Sequence, residues 1–359
     1  GGFMTRFAHI SDTHIRNVKY QDEYKIVFKQ IYESLEREQP DYIIHTGDIA
    51  HTKTQLSPEY FELCSDFLKN LADIAPTYVI LGNHDGNLKN DNRQDAITPI
   101  VETLRHPSLH LLKRSGETQI TKNICLNVLS VFDRDNWVGP SDKSKINIAL
   151  YHGAIRGCRI SDNFTLESGE DSITIFDEFD FAMLGDIHRR QQLDNEGRIW
   201  YAGSTVQQNF GESLRKGYLI WDIRDKDNFS IQPRLFMSPR PFVTVEINRD
   251  GTLPHAEVPN NSRLRLVSNY NLPLAKLRRA CDYARTKWNA YTVNFINKAG
   301  YSGTQFTDDV SKSNVVNMRD PSEQEKYIRR FLHGKEISDA VLERVLELNS
   351  NYNKQIESS

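Results

Sequence analysis

Five short segments of this 359-residue chain carry acid, amide or imidazole side chains able to bind hard or borderline metal ions. In order they are Asp12-Thr13-His14, Gly47-Asp48 followed by His51, Gly82-Asn83-His84-Asp85, Tyr151-His152-Gly153 and Gly185-Asp186-Ile187-His188. Such donors suit a divalent ion like Mn²⁺, with Mg²⁺ as the alternative, better than a soft thiolate site would. Two ions roughly 3.5 to 4 Å apart activate a water, neutralise phosphoryl oxygens and assist a departing oxygen, so the chemistry predicted is phosphoester hydrolysis. Asp48 is the natural bridging ligand, with Asp12, His14 and His188 completing one ion and Asn83, His152 and Asp186 the other. His84, beside the ligand Asn83, can reach a scissile phosphate without binding metal, to stabilise transition-state charge or protonate the leaving oxygen. Asp85 is expected to orient it, and His51 to lie on the same rim.

Alternating β-rich runs and helical patterns up to about Ile223 predict an α/β layered fold. Segments 6–10, 42–45, 78–81, 146–150 and 181–184 read as strands buried on both faces, each followed by one of the five motifs. Ligand sites lie beyond the carboxyl ends of such strands, so this register brings the motifs together. Ser57-Pro58-Glu59 starts a helix with a cap residue and proline at the first position, and 22–38 is similarly helical. A further strand pair is expected from 198–202 and 217–223.

No apolar run approaches membrane-spanning length. Four scattered cysteines without a C-x-x-C pair fit a reducing cytosol, and a cytoplasmic protein is expected. Net charge is only -3, so any nucleic-acid surface must be local. Ser238-Pro239-Arg240-Pro241 marks a boundary between a domain over 4–238 and a small α+β module over 239–300. In that module ten Lys or Arg stand against four Asp or Glu. Candidate phosphate contacts there are Arg263, Arg265, Lys276, Arg278, Arg279, Arg285 and Lys287, joined near the metal motifs by Arg189 and Arg190. A linker is expected over 301–321, then two amphipathic helices over 322–349, opened by the Ser322/Glu325 capping box and divided at Gly334. The linker favours a partner-binding role for those helices.

On the five motifs the chain resembles the calcineurin-like metallophosphoesterases, and within them the SbcD nuclease family. The narrower resemblance rests on His51, on Tyr201-Ala202-Gly203-Ser204 with Asn209-Phe210-Gly211-Glu212 and Lys216-Gly217-Tyr218, and on Pro239-Arg240-Pro241-Phe242. It implies a β-sandwich flanked by helices, with a smaller α+β capping domain and a C-terminal helical tail. It further implies a Mn²⁺-dependent nuclease, exonucleolytic at DNA ends and endonucleolytic on single-stranded or hairpin DNA, of a double-strand-break repair and recombination complex. Such a nuclease is a homodimer whose C-terminal helices grip an SMC-like SbcC-type ATPase. The chain has no P-loop of its own, in keeping with that division of labour. One departure stands out: much of the family has Gly-His-x-His where this chain has Gly185-Asp186-Ile187-His188. The competing readings are a non-nuclease metallophosphatase on the same scaffold, and a protein that only holds DNA ends because Asp186 has weakened its metal site.

Overall fold

The computed structural model describes residues 3–16, 18–53, 56–90, 92–299, 324–325, 328–329 and 339–358. The chain forms two compact units, the first comprising Gly1–Val243, Val258–Arg263 and Trp288–Tyr291, the second Thr244–Glu257, Leu264–Lys287 and Thr292–Ser359.

The first unit opens with β1 (Thr5–Ile10), α1 (Gln21–Glu38), β2 (Tyr42–His45), α2 (Pro58–Ile74), β3 (Thr77–Val79), α3 (Thr98–Leu104) and β4 (Leu109–Leu111). Strands β5 (Gly116–Thr121), β6 (Ile124–Leu129) and β7 (Ile146–His152) follow, then a hairpin of β8 (Arg159–Ser161) and β9 (Phe164–Thr165). Next come β10 (Phe181–Gly185), β11 (Gln191–Gln192), β12 (Ile199–Tyr201), β13 (Arg215–Ile223) and β14 (Phe229–Met237). Two six-stranded sheets result, in the orders β14-β13-β1-β2-β3-β4 and β11-β12-β10-β7-β6-β5. Strands β1 to β4 are mutually parallel, as are β6, β7, β10 and β12.

The sheets share one apolar layer, in which Phe7, Ile44 and Trp221 of the first meet Leu126, Ile148, Leu150 and Met183 of the second. The other face of the first sheet, with Ala8, Ile10 and Ile43, is covered by Phe28, Ile31 and Leu35 of α1 and Leu63, Phe67 and Leu71 of α2. Phe28 and Phe67 stack at 4.5 Å between ring centroids, and truncating either to alanine is expected to cost about 3–5 kcal/mol. Burial on both faces is why the central strands read as continuous apolar runs. Helix α2 starts as its sequence predicts, with Ser57 Oγ accepting from Tyr60 N and Pro58 in the first turn.

The expected α/β sandwich flanked by helices is thus what forms. The expected strand pairing of 198–202 with 217–223 does not. Strand β12 lies beside β10 and β11 in the second sheet, whereas β13 lies antiparallel to β1 in the first. Adjacency in sequence suggested a hairpin, but the loop between them crosses from one sheet to the other.

The α+β module has the three-stranded sheet β15 (Phe242–Glu246), β16 (Arg263–Ser268) and β17 (Thr292–Asn297), with β16 central. Its helix α4 (Leu274–Lys287) buries Leu277, Ala280, Cys281 and Ala284. The last helix, α5 (Asp339–Ser358), runs past the expected end at Asn349. Segments 324–325 and 328–329 are helical, and Arg329 pairs with Glu325 at 2.9 Å. The expected linker 301–321, Ser322 and Gly334 lie outside the described residues. Among the described residues no helix is long and apolar enough to cross a membrane.

Candidate metal centre

The C-terminal ends of β1, β2, β3, β7 and β10 deliver the five motifs. Beyond β1 and β2 the backbone pairing continues, with Asp12 N donating to Gly47 O and His14 N to Asp48 O, both at 3.0 Å. This locks two ligand loops to one another. Asp12, His14, Asp48 and Asp186 all have φ between 45° and 100°. Non-glycine residues held there cost about 1–3 kcal/mol each and persist only where the surroundings enforce them. Strain at four proposed ligands marks this as the functional end of the sandwich. Gly82 and Gly185 permit the closeness: a Cβ at Gly82 would strike Asp48 Oδ1, and one at Gly185 would strike the Thr46 carbonyl and Ser11 Oγ.

The side chains converge in two groups, Asp12 with His14 and His188, and Asp12 with Asp48 and His152. Asp48 Oδ2 stands 3.5 Å from His14 Nε2 and 3.3 Å from His152 Nε2, between the groups as a bridging ligand must. His14 Nε2 and His188 Nε2 are 3.0 Å apart. On the second side His152 Nε2 lies 3.0 Å from Asn83 Oδ1 and 3.7 Å from Asp186 Oδ1. All seven residues expected as ligands therefore face one centre.

The donor chemistry fits cations. His152 Nδ1 donates to the Thr46 carbonyl at 2.7 Å and His188 Nδ1 to Glu212 Oε1 at 2.6 Å. A neutral ring so fixed points the lone pair of Nε2 into the centre. Acceptors then face acceptors, an arrangement that needs a positive charge between them. In the metal-free protein protons supply part of it. Burial opposes a charge on His152, but Asp48 outweighs it and holds the imidazole well above its ordinary pKa. Burial would likewise raise Asp48, yet His152 and His14 keep it below the usual carboxylate range. Asp186 has no such close partner, and burial pushes it up to about 6.

His84 is exposed beside this centre, its ring 4.9 Å from that of His14. Its Nδ1 donates to the His51 carbonyl at 2.7 Å, and its backbone N–H donates to Asp48 Oδ1 at 2.8 Å. The expected orienting role of Asp85 is corrected here. Asp85 is fully buried, and its carboxylate accepts from the backbone N–H groups of Asp48, Ala50 and Gly82 at 2.8 to 2.9 Å. It braces the two loops, and the His51 carbonyl orients His84. The His51 ring lies 5.6 Å from His14, and burial followed by the charge of Arg16 lowers its pKa to about 3.

Sequence reasoning gave Glu212 no role in the site. Besides His188, its carboxylate accepts from Ser204 Oγ at 2.9 Å and Gln208 N at 3.0 Å, while Lys216 Nζ donates to the His188 carbonyl at 2.6 Å. Burial would raise the pKa of Glu212, but its bond to His188 and the charge of Lys216 keep it low. Its segment, Asn209-Phe210-Gly211-Glu212, stood out in the sequence as a polar block and as part of the family resemblance, neither of which assigns the glutamate a partner.

The proposed phosphate contacts divide sharply. Lys276, Arg278, Arg279, Arg285 and Lys287 are exposed on α4, with Arg285 paired to Asp282 at 3.2 Å. Arg265 is half-buried, and Arg189 pairs with Asp162 at 2.8 Å. Arg190 is also half-buried, which depresses its pKa. Arg263 departs from expectation: its guanidinium is largely buried and holds Glu23 from both nitrogens, one at 2.9 Å, so it serves the fold.

The sequence of residues 5–190 matches the family model of the calcineurin-like phosphoesterases. The chain belongs to that family. Among curated relatives, this calcineurin-like phosphoesterase is 38% identical over 274 residues to an uncharacterized protein of Acanthamoeba polyphaga mimivirus. The match covers 72% of this chain but 20% of that protein, so the chain spans about a fifth of its length. It is 25% identical over 321 residues to the SbcD component of the SbcCD nuclease of Staphylococcus epidermidis, covering 76% of this chain and 82% of the relative. Calcineurin-like phosphoesterases are metal-dependent hydrolases, and Asp12, His14, Asp48 and His152 form this chain's candidate divalent-metal site.

Proposed function

We propose that this phosphoesterase is a DNA nuclease, exonucleolytic at duplex ends and endonucleolytic on single-stranded or hairpin DNA, within a break-repair or recombination complex. The observation that carries the reading is His84, held by the His51 carbonyl on the exposed rim of the candidate metal centre, where a long phosphodiester can reach it. Similarity to the SbcD component of the SbcCD nuclease along most of both chains supports DNA as the substrate.

Asp12, His14, His188 and Asp48 would hold one divalent ion, and Asp48, Asn83, His152 and Asp186 the other, with Mn²⁺ suiting these donors in preference to Mg²⁺. When bound, the pair supplies charge neutralisation at the phosphoryl oxygens and an acidified water. The rest falls to the chain. His84 keeps Nδ1–H on the His51 carbonyl and turns Nε2 to the phosphoryl or leaving oxygen. Glu212 and the Thr46 carbonyl keep His188 and His152 in their ligating tautomers. The 239–300 module caps the DNA, with the exposed cations of α4 as phosphate contacts, and the 322–349 segment binds an SbcC-type ATPase in a homodimeric assembly.

The test compares Mn²⁺-dependent turnover of end-labelled duplex DNA with that of a nucleotide monoester, with and without the ATPase. DNA cleavage that disappears in Asp48→Ala and His84→Ala is expected. Turnover of the monoester with intact DNA would replace the nuclease reading by a phosphatase.

A further inference from the structure

A row of alternating cations and aromatic rings runs through the first unit beside the candidate metal centre. Arg16, two residues after His14, lies over the ring of Tyr20 at 4.2 Å, with Lys19 over the same ring at 5.0 Å. Arg263 follows at 5.1 Å from Tyr20, 4.9 Å from Phe242 and 5.8 Å from Tyr291. Arg240 closes the row at 4.1 Å over Tyr291. Its inner end is tied to the metal loop. Arg16 donates to the Gln208 carbonyl at 3.0 Å, Gln208 Nε2 donates to Tyr24 Oη at 3.0 Å, and Tyr24 donates to the His14 carbonyl at 2.5 Å.

The centre of the row is structural and its margins are not. Arg263 is anchored on Glu23 and on the Arg240 carbonyl. Tyr291, by contrast, is 48% exposed, Lys19 is exposed, and Arg240 stands 3.8 Å from the one carboxylate near it, Glu23. Among the described residues no carboxylate pairs with Arg16 or Lys19. Arg16 and Lys19, without an acidic partner among the described residues, and Arg240, held only loosely by Glu23 at 3.8 Å, interleave with the half-buried ring of Tyr20 and the exposed ring of Tyr291. Such a row suits a polyanion whose bases have flat faces to stack.

We propose that the row of Arg16, Lys19, Tyr20, Arg240 and Tyr291 binds a single-stranded nucleic-acid tail, its phosphates on the cations and an unstacked base on Tyr291. This rests on the nuclease reading and adds to it the strand state that the enzyme grips. A base stacked inside a duplex has no free face to give Tyr291, so the row favours a single strand over the interior of a duplex.

The experiment uses the full chain in EDTA, so that binding is read without cleavage, and follows the anisotropy of a labelled oligothymidylate and of a blunt duplex. Arg240→Gln with Tyr291→Ala should weaken oligothymidylate binding about tenfold and leave duplex binding within about twofold. Lys19→Gln, at an exposed position where folding is safe, should lower the salt slope by about 0.7. Turnover of a small aryl phosphodiester with Mn²⁺ should be unchanged in both variants. Wild-type oligothymidylate affinity in both variants, equal losses for duplex and single strand, or no oligothymidylate binding by a wild type that cleaves DNA would each overturn the proposal. A wild type that hydrolyses the aryl diester but neither cuts nor binds any DNA would remove the nuclease reading itself.

Discussion

His188 Nδ1 and Glu212 Oε1 lie 2.6 Å apart, joining the last metal motif to a loop 24 residues further along the chain. That bond fixes which nitrogen of His188 faces the ion. Glu212→Gln keeps the shape but weakens the acceptor, and Glu212→Ala removes it. Metal affinity is expected to fall about 10- to 100-fold in the alanine variant and less in the glutamine variant. Calorimetric Mn²⁺ titration checks this, and unchanged affinity in Glu212→Ala would show that the bond does not tune the site.

His84 holds the proposed ligand Asp48 through its backbone N–H, a contact that survives truncation of the side chain. His84→Ala should lower kcat about 10²- to 10⁴-fold while metal content stays at the wild-type level. Loss of metal together with activity would make His84 a ligand instead.

Gly185 packs where no Cβ fits, against the Thr46 carbonyl and Ser11 Oγ. Gly185→Ala should destabilise the fold by about 3 kcal/mol, because backbone atoms must move apart. Urea unfolding measures it, and a midpoint like that of the wild type would contradict the packing described.

The metal-free protein should lose stability as pH rises from about 6.5 to about 8. Below that range His9, His45 and His51, each lowered to about 3 by burial, lose their own contributions as pH falls and oppose the raised groups. Asp186 is raised to about 6, so the fold favours its protonated form and that contribution fades as pH climbs toward 6. His152 is raised as well, so its contribution is complete below its unfolded value of 6.5 and fades as pH rises through its folded pKa. The depressed Asp48 and Glu212 act oppositely, with contributions lost as pH falls below about 4. Calorimetry in EDTA should show Tm falling between about pH 6.5 and pH 8, with recovery on adding Mn²⁺. A flat profile in EDTA over that range would be inconsistent with the raised His152 and His188.

Proton release offers an independent view of His152. Asp48 holds the pKa of its ring well above the ordinary value in the metal-free protein, and the ring must be neutral to ligate, so Mn²⁺ binding near neutral pH should release protons, from His152 and from the likewise raised His188. Titrations in buffers of different ionisation enthalpy measure their number, and a value of zero would mean that His152 does not ligate.

The ligand set was legible in the sequence because strand ends followed by Asp, Asn and His are local features, and parallel strands carry their carboxyl ends to one side of a sheet. What lay beyond reach depends on residues far apart in the chain. Asp85 follows His84 directly, which suggested that it orients the ring, yet its carboxylate turns inward to the backbone of Asp48 and Ala50. Arg263 reads in the sequence as one of ten cations in a basic module, but Glu23, 240 residues away, lies against it in the fold.

By itself, then, the sequence determined the residue types of the metal centre, the α/β alternation that gathers them and the helix starts such as Ser57-Pro58. Each depends on the chemistry of neighbouring residues and on the period of the backbone. Only the tertiary structure decided that β12 and β13 enter different sheets, that Glu212 holds His188, and that arginines from three distant segments interleave with Tyr20 and Tyr291. Those outcomes follow from long-range packing, in which the buried layer between the sheets fixes where each loop must cross and hence which side chains meet.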